Sequence, residues 1–191
     1  GASSTADITV LSTALSSLTF DVSSVSGGVS ATGTVTIANA APAAGYVVTL
    51  TSSSDKVTIP ASVTIAAGQT SATFQATTVA VASDVTSTIT ASANGVDKTS
   101  NLTVTAPGIA TFAISPTNVS GGNTATATIT LSDAAPVGGL TIALASNNAA
   151  AGVPASVTVA AGETTATFDV TTSQTNTDAL ATVEATLNGV S

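Results

Sequence analysis

Few side chains in this 191-residue chain could do acid–base, nucleophilic or metal chemistry. The sequence has no His, Cys, Met, Trp or Arg, and Lys56 and Lys98 are its only basic residues beside ten carboxylates. A Ser or Thr nucleophile needs a neighbouring base, and two lysines are poor substitutes for histidine. Zinc needs Cys or His ligands, which the sequence lacks. The sequence therefore predicts a protein that is not an enzyme and that has no resident metal or cofactor.

Two pairs of polar residues are candidates for a calcium site in a loop. Asp84 and Asp178 occupy equivalent places in an internal repeat of the sequence, and so do Asn39 and Asp133. Carboxylate and amide oxygens in loops are typical calcium ligands. The ordinary alternative is that each residue stabilises a turn by bonding to nearby backbone, and we favour that interpretation.

Asn and Lys side chains offer two kinds of covalent modification. Asn101-Leu102-Thr103 and Asn118-Val119-Ser120 match the Asn-x-Ser/Thr pattern, so Asn101 and Asn118 are candidate glycosylation sites. Chance matches are frequent in a chain so rich in Ser and Thr. A Lys–Asn isopeptide cross-link would need a buried lysine, whereas Lys56 and Lys98 are expected in solvent. Glycans are therefore candidate partners, and a cross-link is not expected.

The overall composition limits the classes of partner. The formal charge of −8 argues against nucleic acid and anionic membrane surfaces, which are bound by basic patches. No apolar run approaches the ~18 residues of a membrane span. Abundant Thr and Val favour strands, and strong helix formers other than Ala are scarce. The missing initiator Met suggests a processed chain or an excised fragment, and a removed secretory signal would fit, although none is visible in the sequence. We expect an extracellular or cell-surface location.

The chain contains two copies of one repeat. When the sequence is shifted by 94 residues, positions 25–97 align with positions 119–191 without a gap, with 34 identities in 73 pairs. Pro60-Ala61-Ser62-Val63-Thr64, for example, aligns with Pro154-Ala155-Ser156-Val157-Thr158. The repeat predicts two domains of one fold, at residues 18–106 and 107–191, preceded by an N-terminal segment at residues 1–17.

Within each copy, short alternating runs are separated by turn residues at the spacing of an all-β sandwich. Alternation predicts an inward face with residues such as Val35, Ile37, Val48 and Leu50, and an outward face of Ser and Thr. The phenylalanines are expected in the core. Strands in the first copy are predicted near residues 18–22, 31–38, 46–52, 62–66, 71–78, 86–93 and 101–105.

The motifs of the repeat resemble those of a known family. Gly33-Thr34-Val35-Thr36-Ile37, Ile59-Pro60-Ala61-Ser62-Val63-Thr64-Ile65 and Ala72-Thr73-Phe74 look like the tandem immunoglobulin-like (Ig-like) repeats of bacterial secreted and cell-surface proteins. The resemblance implies two tandem Ig-like β-sandwich domains. It also implies the roles that such repeats have, as stalks, spacers and adhesive modules.

The frame of the repeat predicts an incomplete second domain. Asn94-Gly95 and Asn188-Gly189 are both hairpin signals, and only the first is followed by a return strand in this sequence, at Asn101-Leu102-Thr103-Val104. We therefore expect an open acceptor groove near Phe112, Ile114, Val183 and Leu187.

A strand of matching pattern lies at the other end of the chain. Asp7-Ile8-Thr9-Val10 has the alternation of residues 101–104, so residues 7–10 are predicted to be a donor strand with Ile8 and Val10 as its apolar side chains. Donation to a neighbour in head-to-tail fashion builds a filament, because such a contact does not close. This logic is similar to that of pilins joined by donor-strand complementation.

Two functional hypotheses follow. In the first, the chain is the structural subunit of an extracellular, pilus-like filament, and its partner is itself. In the alternative, it is a spacer or adhesive fragment of a larger cell-surface protein. A carbohydrate-binding module is a weaker third interpretation, because such modules usually display exposed Trp and Tyr and this chain has one Tyr.

Overall fold

The computed structural model describes residues 3–187, and these residues form strands and no helix. Two compact units are present. Unit 1 comprises the chain up to Val25, Val29–Thr78 and Thr86–Thr103, and unit 2 comprises Ser26–Gly28, Val79–Val85 and the chain from Val104 onward. Over residues 3–187, no helix has the length and apolar character needed to cross a bilayer. The predicted all-β fold is confirmed, while the domain boundaries drawn from the sequence stay predictions.

The first copy of the repeat forms two sheets. Their orders are β1-β3-β7-β5 and β2-β9-β8-β4-β6. The arrangement β1-β3-β7-β5 opposite β9-β8-β4 is the A-B-E-D and G-F-C order of an Ig-like sandwich. The strands are β1 (Leu15–Phe20), β2 (Ser24–Ser26), β3 (Ala31–Ile37), β4 (Tyr46–Ser52), β5 (Val57–Thr58), β6 (Ser62–Ile65), β7 (Ser71–Thr78), β8 (Val85–Ala93) and β9 (Val96–Thr105).

The second copy repeats this arrangement with fewer strands. Its sheets have the orders β10-β11-β15-β13 and β14-β12-β16. The strands are β10 (Ile109–Ser115), β11 (Thr124–Leu131), β12 (Leu140–Ser146), β13 (Ala151–Gly152), β14 (Ser156–Val159), β15 (Thr165–Thr172) and β16 (Val183–Thr186). Among the described residues, β2 and β9 have no counterpart in this copy.

The predicted inward and outward faces are confirmed along the long strands. Val35, Val48 and Ile89 are fully buried, and so are Ile129 and Ile142, the counterparts of Val35 and Val48. Each sandwich thus has an aliphatic core, and Thr residues cover much of the outside. Phe74 and Phe168 are buried and each contacts a half-buried phenylalanine, at 5.9 Å between the ring centroids of Phe20 and Phe74.

The ends of some strands differ from the prediction. The first strand was expected at residues 18–22 but runs from Leu15 to Phe20, because a bulge between Leu15 and Ser17 points both Leu15 and Leu18 inward. A bulge breaks the two-residue period on which the expectation rested. Strand β9 begins at Val96 rather than at residue 101, since the hairpin ladder starts directly after the turn.

The hairpin signal at Asn94-Gly95 is confirmed. Both residues have positive φ, 49° and 78°, between β8 and β9, which is the backbone of a type I′ turn. The equivalent Asn188-Gly189 lies outside the described residues, so its hairpin stays a prediction.

Candidate functional site: a groove in the second copy

A groove of about 1030 Å³ runs along the second copy beside β16. Its apolar lining includes Ile114, Val119, Ala181 and Val183, which are only half-buried although they pack against the core. On one side β16 pairs with β12, and on the other side no described residue pairs with it. The groove therefore combines an open strand edge with an incompletely covered apolar surface.

We call two of the segments that line this groove its walls, Thr117–Gly121 and Asp178–Val183. Residues of the stretch from Val170 to Thr177 line it as well. The counterparts of the walls in the first copy, residues 23–27 and 84–89, flank the end of β9. On one side, the Thr103 N–H donates to the Ser23 carbonyl at 3.0 Å, and the Gly27 N–H donates to the Thr105 carbonyl at 3.2 Å.

On the other side of β9, Thr86 and Thr103 hydroxyls lie 2.9 Å apart, and Asp84 Oδ1 accepts a bond from the Ala106 N–H at 2.9 Å. The two walls of the groove in the second copy thus correspond to the two segments that bind β9 in the first copy.

One wall has the same close packing in both copies. A Cβ on Gly121 would lie 2.6 Å from the Ser173 carbonyl oxygen, and a Cβ on Gly27 would lie 2.5 Å from the Ala80 Cα. Only glycine allows the chain to pass so near its neighbour. The position of residues 117–121 is therefore set by the close approach of Gly121 to Ser173 within the second copy.

The four residues predicted to line the groove fall into two pairs. Ile114 and Val183 do line it. Phe112 packs instead against Phe168, with ring centroids 6.1 Å apart, and Leu187 is only 5% exposed within the core cluster. Sequence reasoning did not identify Val119, Ala181 and Asp178 as lining residues, although the 94-residue shift aligns all three with positions that flank β9 in the first copy.

The N-terminal segment is extended and exposed. Ile8 and Val10 are 89% and 87% exposed, and neither belongs to a strand. Their counterparts at the 94-residue shift, Leu102 and Val104, are fully buried in β9. The same alternating pattern is thus buried at residues 101–104 and exposed to solvent at residues 7–10.

The linker after this segment shows that the shift of 94 residues holds without a gap. The Ala38 N–H donates to the Ala14 carbonyl at 3.0 Å, and the Ser132 N–H donates to the Gly108 carbonyl at 2.9 Å. Both partners in the second bond are 94 residues beyond those in the first. This register extends along the segment, since Thr9-Val10 is identical to Thr103-Val104 at the same shift, and we align residues 7–14 one by one with residues 101–108.

The other candidate residues are placed as follows. Asn101 lies on β9, where its Oδ1 accepts a bond from Thr88 Oγ1 at 2.9 Å, and exposed Asn118 lines the groove. Glycosylation of either stays a prediction. Within the described part of the chain, no group of three or more His, Cys, Asp or Glu could hold a metal ion.

The lysine expected in a loop is in solvent. Lys56 Nζ lies 2.9 Å from Asp55 Oδ2, and the two side chains are 41% and 82% exposed. The hydrogen bond and the positive charge of Lys56 lower the pKa of Asp55. An exposed pair of this kind contributes little to folding, and a lysine in this position is not buried as an isopeptide cross-link requires.

Comparison with known proteins gives low similarity throughout. No protein-family model matches the sequence, and no curated protein matches it. Among solved structures, the chain is similar to the D0-D1 domain of Intimin, with 14% identity, a TM-score of 0.41 and 92% of each chain covered. For the D00-D0 domain of Intimin these values are 16% and 0.36, covering 88% of this chain and 90% of that one. The titin domains z1z2 in complex with telethonin give 13% and 0.31, covering 87% of this chain and all (100%) of that one.

Proposed function

We propose that this chain is a structural protein of the extracellular space, built from Ig-like units, and that it polymerises by strand uptake. The groove between Thr117–Gly121 and Asp178–Val183 receives residues 7–10 of a second copy, and head-to-tail repetition gives a filament. The observation that carries the proposal is that both walls of the groove correspond to the segments flanking β9. A secreted, cell-surface location is part of the proposal.

The donor has the properties that the groove requires. Ile8 and Val10 correspond to the fully buried Leu102 and Val104, and they are almost fully exposed in the free chain. Burying an aliphatic side chain of this size stabilises a complex by about 1.5–3 kcal/mol. The backbone ladder along β16 adds hydrogen bonds whose partners would otherwise face water.

Electron microscopy of variants tests the proposal. Ile8→Asp with Val10→Asp places two charges where the groove is apolar, so filaments should disappear while both units stay folded. Val47→Asp is a matched control, because Val47 is 61% exposed on the outer side of β4 and lies in neither donor nor groove. Filaments of normal length from the double variant would contradict strand donation.

The alternative is that the chain is a spacer or adhesive part of a larger cell-surface protein. The Asn188-Gly189 hairpin signal favours it, because a return strand from the same polypeptide would fill the same groove. The mass of the polypeptide isolated from its native source separates the two. A native polypeptide of 191 residues supports polymerisation, whereas a much longer one supports the spacer.

A further inference from the structure

In the first copy, a carboxylate holds the end of β9. Asp84 Oδ1 accepts a hydrogen bond from the backbone N–H of Ala106, the residue after the strand, at 2.9 Å. This bond lies at the point where the chain leaves the sheet and the ladder can no longer pair its N–H groups. Asp84 thus satisfies a backbone donor that the sheet leaves over.

The counterpart of Asp84 in the second copy is Asp178. It lines the groove and is exposed. Over residues 3–187, no donor lies within hydrogen-bond distance of its carboxylate. Asp178 therefore has the same side chain at the same repeat position as Asp84, but it has no backbone N–H bound to its carboxylate among the described residues.

The donor segment carries a matching N–H. Ser12 corresponds to Ala106 under the gap-free shift. Its carbonyl accepts a bond from Asn39 Nδ2 at 2.7 Å, and its Oγ accepts one from the Ala14 N–H at 3.1 Å. No described residue accepts a bond from the backbone N–H of Ser12. Residues 12–14 can therefore keep both hydrogen bonds while the backbone N–H of Ser12 donates to an acceptor in a neighbouring chain.

We propose that Asp178 anchors the incoming strand by accepting a hydrogen bond from the backbone N–H of Ser12 of a second copy. This inference rests on the proposed strand uptake and assigns a polar contact to it. The apolar alternation of Ile8 and Val10 selects the strand, and Asp178 fixes its exit from the groove. A carboxylate is suited to this task, because hydrogen bonds to a charged acceptor are stronger than those between neutral groups.

A binding cycle with a synthetic strand tests the anchor. The acceptor is the full chain with Ile8→Asp and Val10→Asp, which cannot donate its own strand. The probes are a fluorescein-labelled peptide of residues 3–14 and the same peptide with an N-methyl group on the Ser12 nitrogen. Binding to this acceptor, and to the same acceptor with Asp178→Ala, is measured by fluorescence anisotropy.

We expect N-methylation to weaken binding about 5- to 10-fold when Asp178 is present and less than about twofold when Asp178→Ala is present. Asp178→Asn keeps an acceptor oxygen and should retain most of the sensitivity to N-methylation. An equal loss with all three acceptors would overturn the anchor and leave strand uptake standing. No binding of the unmodified peptide to the first acceptor would overturn strand uptake itself.

Discussion

Gly33 and its counterpart Ala127 show how one fold accommodates two sets of core residues. Gly33 lies opposite Phe74 in the β3–β7 ladder, and a Cβ there would lie 2.3 Å from the Phe74 ring. Ala127 carries a Cβ in the same place and is fully buried opposite Phe168. The difference is compensated in the first strand, where Leu18 and Phe20 of one copy replace Phe112 and Ile114 of the other.

This compensation gives a prediction for Gly33→Ala. The added methyl group forces the Phe74 ring against Phe20, so the single variant should lose about 1–3 kcal/mol of unfolding free energy. Adding Leu18→Phe and Phe20→Ile, which copies the second core into the first, should restore most of that loss. Chemical denaturation of the three-residue variant beside the single variant measures the recovery, and a single variant as stable as the parent would contradict it.

Among the strands, alternation alone located the long buried ones. Strands β3, β4, β7 and β8 were predicted within a residue or so, because each carries most of its apolar residues on one face. The pattern could not reveal β5, which has two residues, and it misplaced the ends of the bulged β1. A two-residue strand is fixed by its neighbours rather than by its own sequence.

The frame of the repeat predicts a groove at this place, and it does not predict Asp178 among the residues that line it. Ile114 and Val183 follow from apolar patterning at known repeat positions. Asp178 looked like a turn residue, since Asp in a loop usually bonds nearby backbone. Only the Ala106–Asp84 bond shows that the residue at this repeat position can bind the backbone that follows β9.

If residues 7–10 act as a second β9, the two strands should be interchangeable. Asp7→Asn with Ile8→Leu turns the donor into Asn-Leu-Thr-Val, the sequence of residues 101–104. Thr88 donates to the Asn101 oxygen, and its counterpart Thr182 can donate to Asn or Asp alike. We expect this variant to assemble at about the parent concentration, as measured by sedimentation. Loss of assembly would show that the groove does not bind the donor as β9 is bound.

At the scale of the whole molecule, the described parts of the two copies differ in how far their apolar cores are covered. The described part of unit 2 has the same kind of aliphatic core as the first copy, but Ile114, Val119 and Val183 stay half-buried at its groove. A strand that covers them binds the folded unit and not the unfolded one. If the strand is taken up as proposed, assembly and the stability of unit 2 are coupled.

That coupling predicts two thermal transitions with different responses to the donor. In the Ile8→Asp, Val10→Asp chain, a peptide of residues 3–14 at 100 times its Kd should stabilise unit 2 by about 2.7 kcal/mol. For a domain of this size the melting temperature then rises by on the order of 10 °C. Calorimetry should show this rise in the melting temperature of the unit 2 transition only. The unit 1 transition, whose melting temperature Gly33→Ala lowers, should not shift when the peptide is added. If the peptide shifts the transition sensitive to Gly33→Ala instead, the strand binds unit 1 and the groove is not its site.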